Sequence, residues 1–492
     1  MSKRAPFQDL PLARPRGEKE LWRWLRDEIR NAILSNKLRR GNRMPSSREL
    51  AQQYQCSRGT VVTAFEHLQD EGYLETRKGA GTFVAFGLPD DSLAAKRPAV
   101  QSSNRPSSAG LSKRGTFTAA YVSPLPASRS VGKAFRAYEP AIDLFPVDLW
   151  SRIAGRVVRR APRSLYGQGD SRGYAPLRKA IAEYVGSARS VRCDPDQVIV
   201  TAGAQQALDL VTRLLLDPGD KVLVEDPGYP GAVSAFKAGG ARVVPIPVDD
   251  QGIKIAMVSR QHTTSAKLIY TTPANQFPLG ITMSLPRRLQ LLDWAIDKGA
   301  WIVEDEFDAE YRYFGRPVPA LQSLDRSGAV IYVGTFTKML FNSLRLGFLV
   351  LPERLIDPFA SARFLIDRHS PTLEQAILAE FILDGHFGHH IRRMRQIYSE
   401  RVNVLAESAK KRLTGRLSVE LAPSGMRTIG WLQNGENDQA VAGRARAQGL
   451  EIAALSQFAI RTYKPGGLIL GFAACTPGEL RRGVDVLASV LN

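Results

Sequence analysis

Apolar residues at Leu21, Leu25, Ile29 and Ile33 are spaced to line one face of a helix, which is expected to end near Gly41. The pattern then restarts twice. In MPSSRELAQQY, Pro45 precedes Ser46-x-x-Glu49, a capping box that opens a short helix. A turn at 53–56 leads to Ser57, placed as the N-cap of RGTVVTAFEHLQDEG. Val61, Phe65 and Leu68 face inward there, leaving Arg58, Thr60, Thr63 and His67 on the outer face. YLET and TFVA flank RKGAG as a hairpin with a glycine-rich basic tip. Residues 87–140 are rich in Ser, Pro, Ala, Arg and Lys, with too few large apolar side chains for a core, and read as a flexible basic linker. From 141 onward, β-branched runs (VIV at 198–200, VLV at 222–224, LIY at 268–270, WIV at 301–303, VIYV at 330–333) alternate with helical segments. That order predicts an α/β fold with a mostly parallel sheet covered on both faces. After about 360 a helical stretch and shorter strands predict a small α+β subdomain. The expected domains are 16–86, 87–140 and 141–492.

Composition narrows the setting. With 67 basic and 48 acidic side chains the 492-residue chain carries a formal charge of +19, and eleven of those charges fall in the first 140 residues. A polyanionic partner there is plausible, against the alternative of a merely basic surface. The three cysteines, Cys56, Cys193 and Cys475, are far apart and match neither a disulfide framework nor a metal site. No signal peptide and no membrane-length apolar run is read, so a reduced, cytoplasmic protein with no membrane partner and no metal is expected.

Two short helices across a tight turn, the second offering Arg58 and hydroxyls near its start, are laid out as a helix-turn-helix with a basic wing. Taken singly, Arg58 has an ordinary surface salt-bridge explanation; the ordered combination does not. The stretch from MPSSREL to GAGTFV resembles the winged-helix domain of GntR-type transcription regulators over roughly 70 residues. The resemblance implies that Arg48 and Arg58 contact phosphate or base. Ser57, Thr60 and Thr63 would lie at the groove, and Arg77 and Lys78 of the wing would touch the backbone of double-stranded operator DNA.

In the larger domain the polar signals fall after strands, where open α/β sheets bind ligands. TAGAQQALDL turns through glycine into a helix whose first N–H groups suit a phosphate. EDPGYPGA places Tyr229 as a stacking platform, and WIV runs into Glu304 and Asp305. GTFTKMLFNSLRLGFLV carries Lys338 and, seven residues on, Arg345. A lysine at a buried strand end is costly unless used, and burial makes it a nucleophilic amine. A carboxylate can hold a pyridinium N–H and an arginine can grip phosphate. Each residue alone has a duller reading, as a surface or salt-bridge group; together they fit pyridoxal 5′-phosphate (PLP).

The segment from about 141 to the end resembles the fold-type I aminotransferase domain, in the version fused to GntR domains in MocR-type regulators. LYGQGDSRGYAPLRKAIAEYV, TAGAQQALDL, EDPGYPGA, TPANQFPLG, EDEFDAEYRY and VGTFTKMLFNSLRLGFLV carry the likeness. It implies a PLP Schiff base on Lys338, Asp305 on the pyridine nitrogen, phosphate on Arg345, Ala204 and Gln205 beside Thr337, and Tyr229 on the ring. It also implies a homodimer in which Tyr166 reaches a partner's site. There are departures. Phe307 stands where the family's tyrosine reaches the cofactor's phenolic oxygen, and Asn275 replaces a histidine and could supply that donor. Thr337 precedes the lysine in place of serine, and Asn342 replaces a usual proline. Ile469 replaces an arginine that clamps a substrate carboxylate. Arg427, in SGMRTIGW, is a substitute clamp for an effector or else a structural salt bridge. The expected function is a PLP-dependent regulator that senses an amine, an amino acid or PLP. An active aminotransferase carrying a DNA-binding domain is the alternative, and a cofactor-free dimerisation scaffold a third reading.

Overall fold

The computed structural model describes residues 20–89, 110–121, 134–260, 265–315 and 318–492. The chain divides into two units, Met1–Gly110 and Leu111–Asn492.

The first unit runs α1 (Leu21–Leu34), α2 (Ser47–Gln53), α3 (Arg58–Asp70), β1 (Leu74–Arg77) and β2 (Gly81–Val84). α1 buries Leu25, Ile29 and Ile33 as the spacing predicts, with Trp24 and Ala32 beside them. It ends well before Gly41, because Asn36 adopts a left-handed conformation (φ 60°) that breaks the helix. The capping box forms in both directions: the Glu49 N–H donates to Ser46 Oγ at 3.2 Å and the Ser46 N–H to Glu49 Oε2 at 2.8 Å. Ser57 caps α3, accepting from the Thr60 N–H at 3.0 Å. Val61, Ala64, Phe65 and Leu68 face the core, where each large apolar side chain contributes about 1.5–3 kcal/mol. His67 is not on a bare outer face; it stacks on Trp22, ring centroids 4.5 Å apart. β1 and β2 form the antiparallel wing, and Arg43 bridges to Phe83 along its edge.

The second unit begins with α4 (Lys113–Ala119), then α5 (Val147–Arg160) and α6 (Ala175–Arg189). β3 (Val198–Thr201), α7 (Ala204–Leu215), β4 (Lys221–Asp226), α8 (Pro230–Ala238), β5 (Arg242–Asp249), β6 (Gly252–Ile253) and α9 (Ile255–Arg260) follow. Next come β7 (Ala266–Thr271), α10 (Leu285–Lys298), β8 (Trp301–Glu306), β9 (Val330–Thr335) and β10 (Gly347–Val350). Strand order is β3-β10-β9-β8-β7-β4-β5-β6. β5, β4, β7, β8 and β9 pair in parallel, whereas β10 is antiparallel to β9 and β3, and β6 to β5. The sheet is therefore mixed, parallel through its centre. Both faces are covered: Leu208 of α7 and Phe236 of α8 pack with Val224 and Val333 on one, Ile181 of α6 with Val200 and Phe348 on the other.

α11 (Ile356–Asp367), α12 (Thr372–Leu383) and the long α13 (His386–Arg412) lead into the small subdomain. There β11 (Leu417–Val419), β12 (Arg427–Leu432), β13 (Ala453–Ala454) and β14 (Gly467–Gly471) form an antiparallel sheet with α14 (Asp438–Ala447) and α15 (Pro477–Val490).

The linker boundary is corrected. Residues 134–140, assigned to the linker by composition, belong to the core of the second unit. Ala134, Phe135, Arg136 and Tyr138 are all buried. Seven residues after a Ser/Pro-rich run are too few to change a composition average, and their burial depends on partners distant in sequence, Gly471 and Gly483. Residues 110–121 carry the Ser112-capped α4, and the rest of the expected linker beyond Pro89 lies outside the described residues. No described helix is long and apolar enough to cross a membrane.

Candidate functional site

On the first unit, the sequence-predicted residues sit on α2, α3 and the wing. Arg48, Arg58 and Lys78 are exposed, while Thr60 and Thr63 are half-buried. Arg58 Nε donates to Ser47 Oγ at 3.3 Å, and the Ser57 and Thr60 hydroxyls lie 2.8 Å apart, so the start of α3 presents one guanidinium beside two preorganised hydroxyls. Arg77 is held back, its Nη2 on Glu75 at 2.6 Å and its guanidinium 4.7 Å over Phe83. The sequence reading passed over Arg43, an exposed cation on the wing edge beside Gly81. The signal was there, in an extended GNRMP run between Gly41 and Pro45.

In the second unit the candidate site gathers at the carboxyl ends of β3, β4, β7, β8 and β9. β8 lies beside β9 with Asp305 opposite Val333, so a carboxylate ending β8 and a lysine just beyond β9 share one edge. β3 turns at Gly203 into α7 (φ 91°), and a Cβ there would come within 3.0 Å of Arg345 Nη2. The positive φ there favours glycine, and the turn sets Arg345 beside the uncapped N–H groups of Ala204 and Gln205. Arg345 Nη2 also donates to the Ala202 carbonyl at 3.0 Å. Thr337 Oγ1 is buried with no hydrogen-bond partner among the described residues. Tyr229 caps α8, half-buried, its hydroxyl 3.5 Å from Gln205 Oε1.

Asp305 is buried. Its Oδ2 accepts from the Tyr270 hydroxyl at 2.7 Å, whereas Oδ1 has no partner among the described residues. Burial pushes its carboxyl up to about 7, opposed by the Tyr270 bond and reinforced by Glu306, Glu225 and Asp308. Such a carboxylate is relieved by a cationic N–H donor at Oδ1. Lys338 Nζ donates to the Tyr138 carbonyl at 2.7 Å and to Asn342 Oδ1 at 3.2 Å. Desolvation pulls its amine down to about 8, against Glu139. An orphaned acceptor at Asp305, an orphaned hydroxyl at Thr337 and a glycine-lined cradle fit a phosphorylated pyridine ring.

The acidic run around Asp305 is not a solvated strand end. Glu304 accepts from the Leu321 and Gln322 N–H groups, Glu306 pairs with Arg189, and Glu310 accepts from the Tyr184 hydroxyl. Asp308 takes Asn275 Nδ2 at 2.6 Å and Arg427 Nη1 at 3.1 Å. Two expectations change with that pair. Asn275 directs its amide to Asp308, and Arg427 is no open carboxylate clamp. Its other donors reach the Pro278 and Gln276 carbonyls, and its guanidinium lies 4.9 Å over Tyr138, 5.5 Å over Phe277 and 5.3 Å over Phe307. Asp308→Ala, which strands the buried guanidinium, is expected to cost about 3–5 kcal/mol of stability, read by urea denaturation. Tyr166 is 59% exposed, its hydroxyl on the Val158 carbonyl. Among the described residues no His, Cys, Asp and Glu group could hold a metal.

The gntR family of bacterial regulatory proteins matches residues 23–84, and the Aminotransferase class I and II family matches 149–487. Together with the winged helix and the site at the sheet edge, they define a DNA-binding transcription regulator whose larger domain has the fold of a PLP-dependent aminotransferase. The chain is 39% identical over 469 residues to the "Probable rhizopine catabolism regulatory protein MocR" of Rhizobium meliloti, covering 95% of this chain and 93% of that one. It is 29% identical to the pyridoxine biosynthesis transcriptional regulator PdxR of Corynebacterium glutamicum, over 96% of both. Among solved structures, the α-aminoadipate aminotransferase of Thermus thermophilus in complex with N-(5′-phosphopyridoxyl)-L-leucine superposes with TM-score 0.67 at 28% identity. That match covers 73% of this chain and 92% of that one. The chain belongs to the MocR-type regulators, and its cofactor is PLP.

Proposed function

We propose that the chain regulates transcription as a homodimer on a double-stranded operator, and that an amine, an amino acid or PLP itself is sensed through the PLP that Lys338 holds. One observation carries this reading. A desolvated lysine and a buried carboxylate with an open oxygen share the sheet edge with a phosphate cradle, in a chain that also presents a complete winged helix. PLP supplies there an electrophilic aldehyde and an electron-accepting ring. The chain's own residues bind and orient it: Ala204, Gln205, Thr337 and Arg345 at the phosphate, Asp305 at the ring nitrogen, Tyr229 at the ring face. Lys338 offers a neutral amine at modest pH. The homodimer is supported by exposed Tyr166 and Val158, whose carbonyl accepts from the Tyr166 hydroxyl, and by further exposed apolar side chains at Ile142 and Val147, a character suited to a second copy of the chain. Arg48, Arg58, Thr60, Thr63 and Lys78 are the proposed DNA contacts, with Arg77 engaging once it leaves Glu75. The reduced cytoplasm is the proposed setting.

Absorption spectroscopy of the full chain mixed with PLP tests the reading. A visible band is expected to develop, and its rate to fall about tenfold per unit as pH drops below about 8, because only the neutral Lys338 amine attacks. Absence of the band at every pH would make the domain a scaffold. Steady conversion of an amino donor with a keto acid would make it an aminotransferase instead.

A further inference from the structure

Tyr138 carries a large side chain on a backbone that favours glycine. Its φ is 63°, and that of Phe135 is 69°. Such conformations are costly for a residue with a side chain and persist where the surroundings over-determine them. Phe135 is held by packing: it bridges to Gly471, and its ring fills the space that a Cβ on Gly483 would enter. Tyr138 ends at the lysine. Its carbonyl accepts from Lys338 Nζ at 2.7 Å, its ring stacks on Phe277 at 4.9 Å, and Phe307, two residues beyond Asp305, lies 6.3 Å away. Arg427 sits over the same ring at 4.9 Å. The hydroxyl is buried, with the Arg427 side chain as its polar neighbour, so desolvation is a second cost at the same residue that Arg427 only partly offsets. Glycine would remove both costs. The chain keeps tyrosine where the backbone carbonyl touches the amine and the ring packs among Phe277, Phe307 and Arg427.

We propose that Tyr138 is the specificity-determining residue of the effector pocket. Its ring occupies the room beside Lys338 that the side chain of an incoming amine would need. The effector is then a compact primary amine with little bulk next to its nitrogen, and amines with large side chains are excluded by shape. Arg427, covered by that ring and paired with Asp308, does not offset the exclusion by attracting a carboxylate. This inference rests on the reading of Lys338 as the cofactor lysine.

The test titrates glycine and L-phenylalanine into the PLP-loaded full chain, following the visible band, for wild type, Tyr138→Gly and Tyr138→Phe. Tyr138→Gly suits the left-handed backbone and opens the pocket, and Tyr138→Phe keeps the ring and removes only the hydroxyl. The half-saturating concentration of L-phenylalanine is expected to fall at least ~10-fold in Tyr138→Gly. That of glycine should move by less than about threefold, and Tyr138→Phe should follow wild type. An unchanged L-phenylalanine response in Tyr138→Gly would overturn the proposal. So would an equal gain for both probes, which would report general loosening. No visible band in wild type would instead overturn the reading of Lys338 beneath it.

Discussion

Lys338→Ala is expected to leave a protein that binds operator DNA but no longer answers to PLP or amines. The variant loses the amine that attaches the cofactor, so the visible band should be absent under conditions that load wild type fully. Asp305, Thr337 and Arg345 remain, and PLP can still occupy the cradle without a covalent bond. What disappears is the difference in free energy between loaded and unloaded states that Lys338 carries, and a ligand shifts an equilibrium only by that difference. Anisotropy of labelled operator DNA should therefore show a ligand-dependent affinity in wild type and one ligand-independent value in Lys338→Ala. Retention of the full response in the variant would assign sensing to non-covalent binding.

Arg58→Ala is the mirror image. Arg58 heads α3 beside the Ser57 and Thr60 hydroxyls, at the start of the helix proposed to read the major groove. Loss of a bidentate base contact there costs about 1–3 kcal/mol, roughly 5- to 150-fold in operator affinity, with relaxed preference at one base pair. The cofactor spectrum should be unchanged. If the loss is instead uniform across operator and random DNA, with a shallower salt dependence, Arg58 contacts phosphate. Normal operator binding would place the recognition surface elsewhere.

These two variants draw on what was legible in the sequence. Helix faces, both N-caps and the wing followed from local periodicity and from hydroxyl-to-carboxylate spacing, signals that need no tertiary context. Lys338, Asp305 and Arg345 were legible because their chemistry is unusual at strand ends. What stayed hidden depends on residues far apart in the chain. Nothing near position 427 announces that Asp308 neutralises it, and nothing near His67 announces Trp22. Asp308 stands in a run whose members look alike, and only the fold gives each a separate partner. Tyr138 was hidden twice, by a linker-like neighbourhood and by a backbone conformation that no pattern reports.

The central claim is that the state of the second unit governs DNA binding by the first. The most direct test measures operator affinity of the full-length wild-type chain at one fixed salt concentration, with and without saturating PLP, while the visible band is read in the same sample. The account predicts that affinity changes by about 5- to 150-fold as the band appears, the range of ordinary allosteric coupling. A fully developed band with unaltered affinity, before and after a compact amine is added, would contradict it.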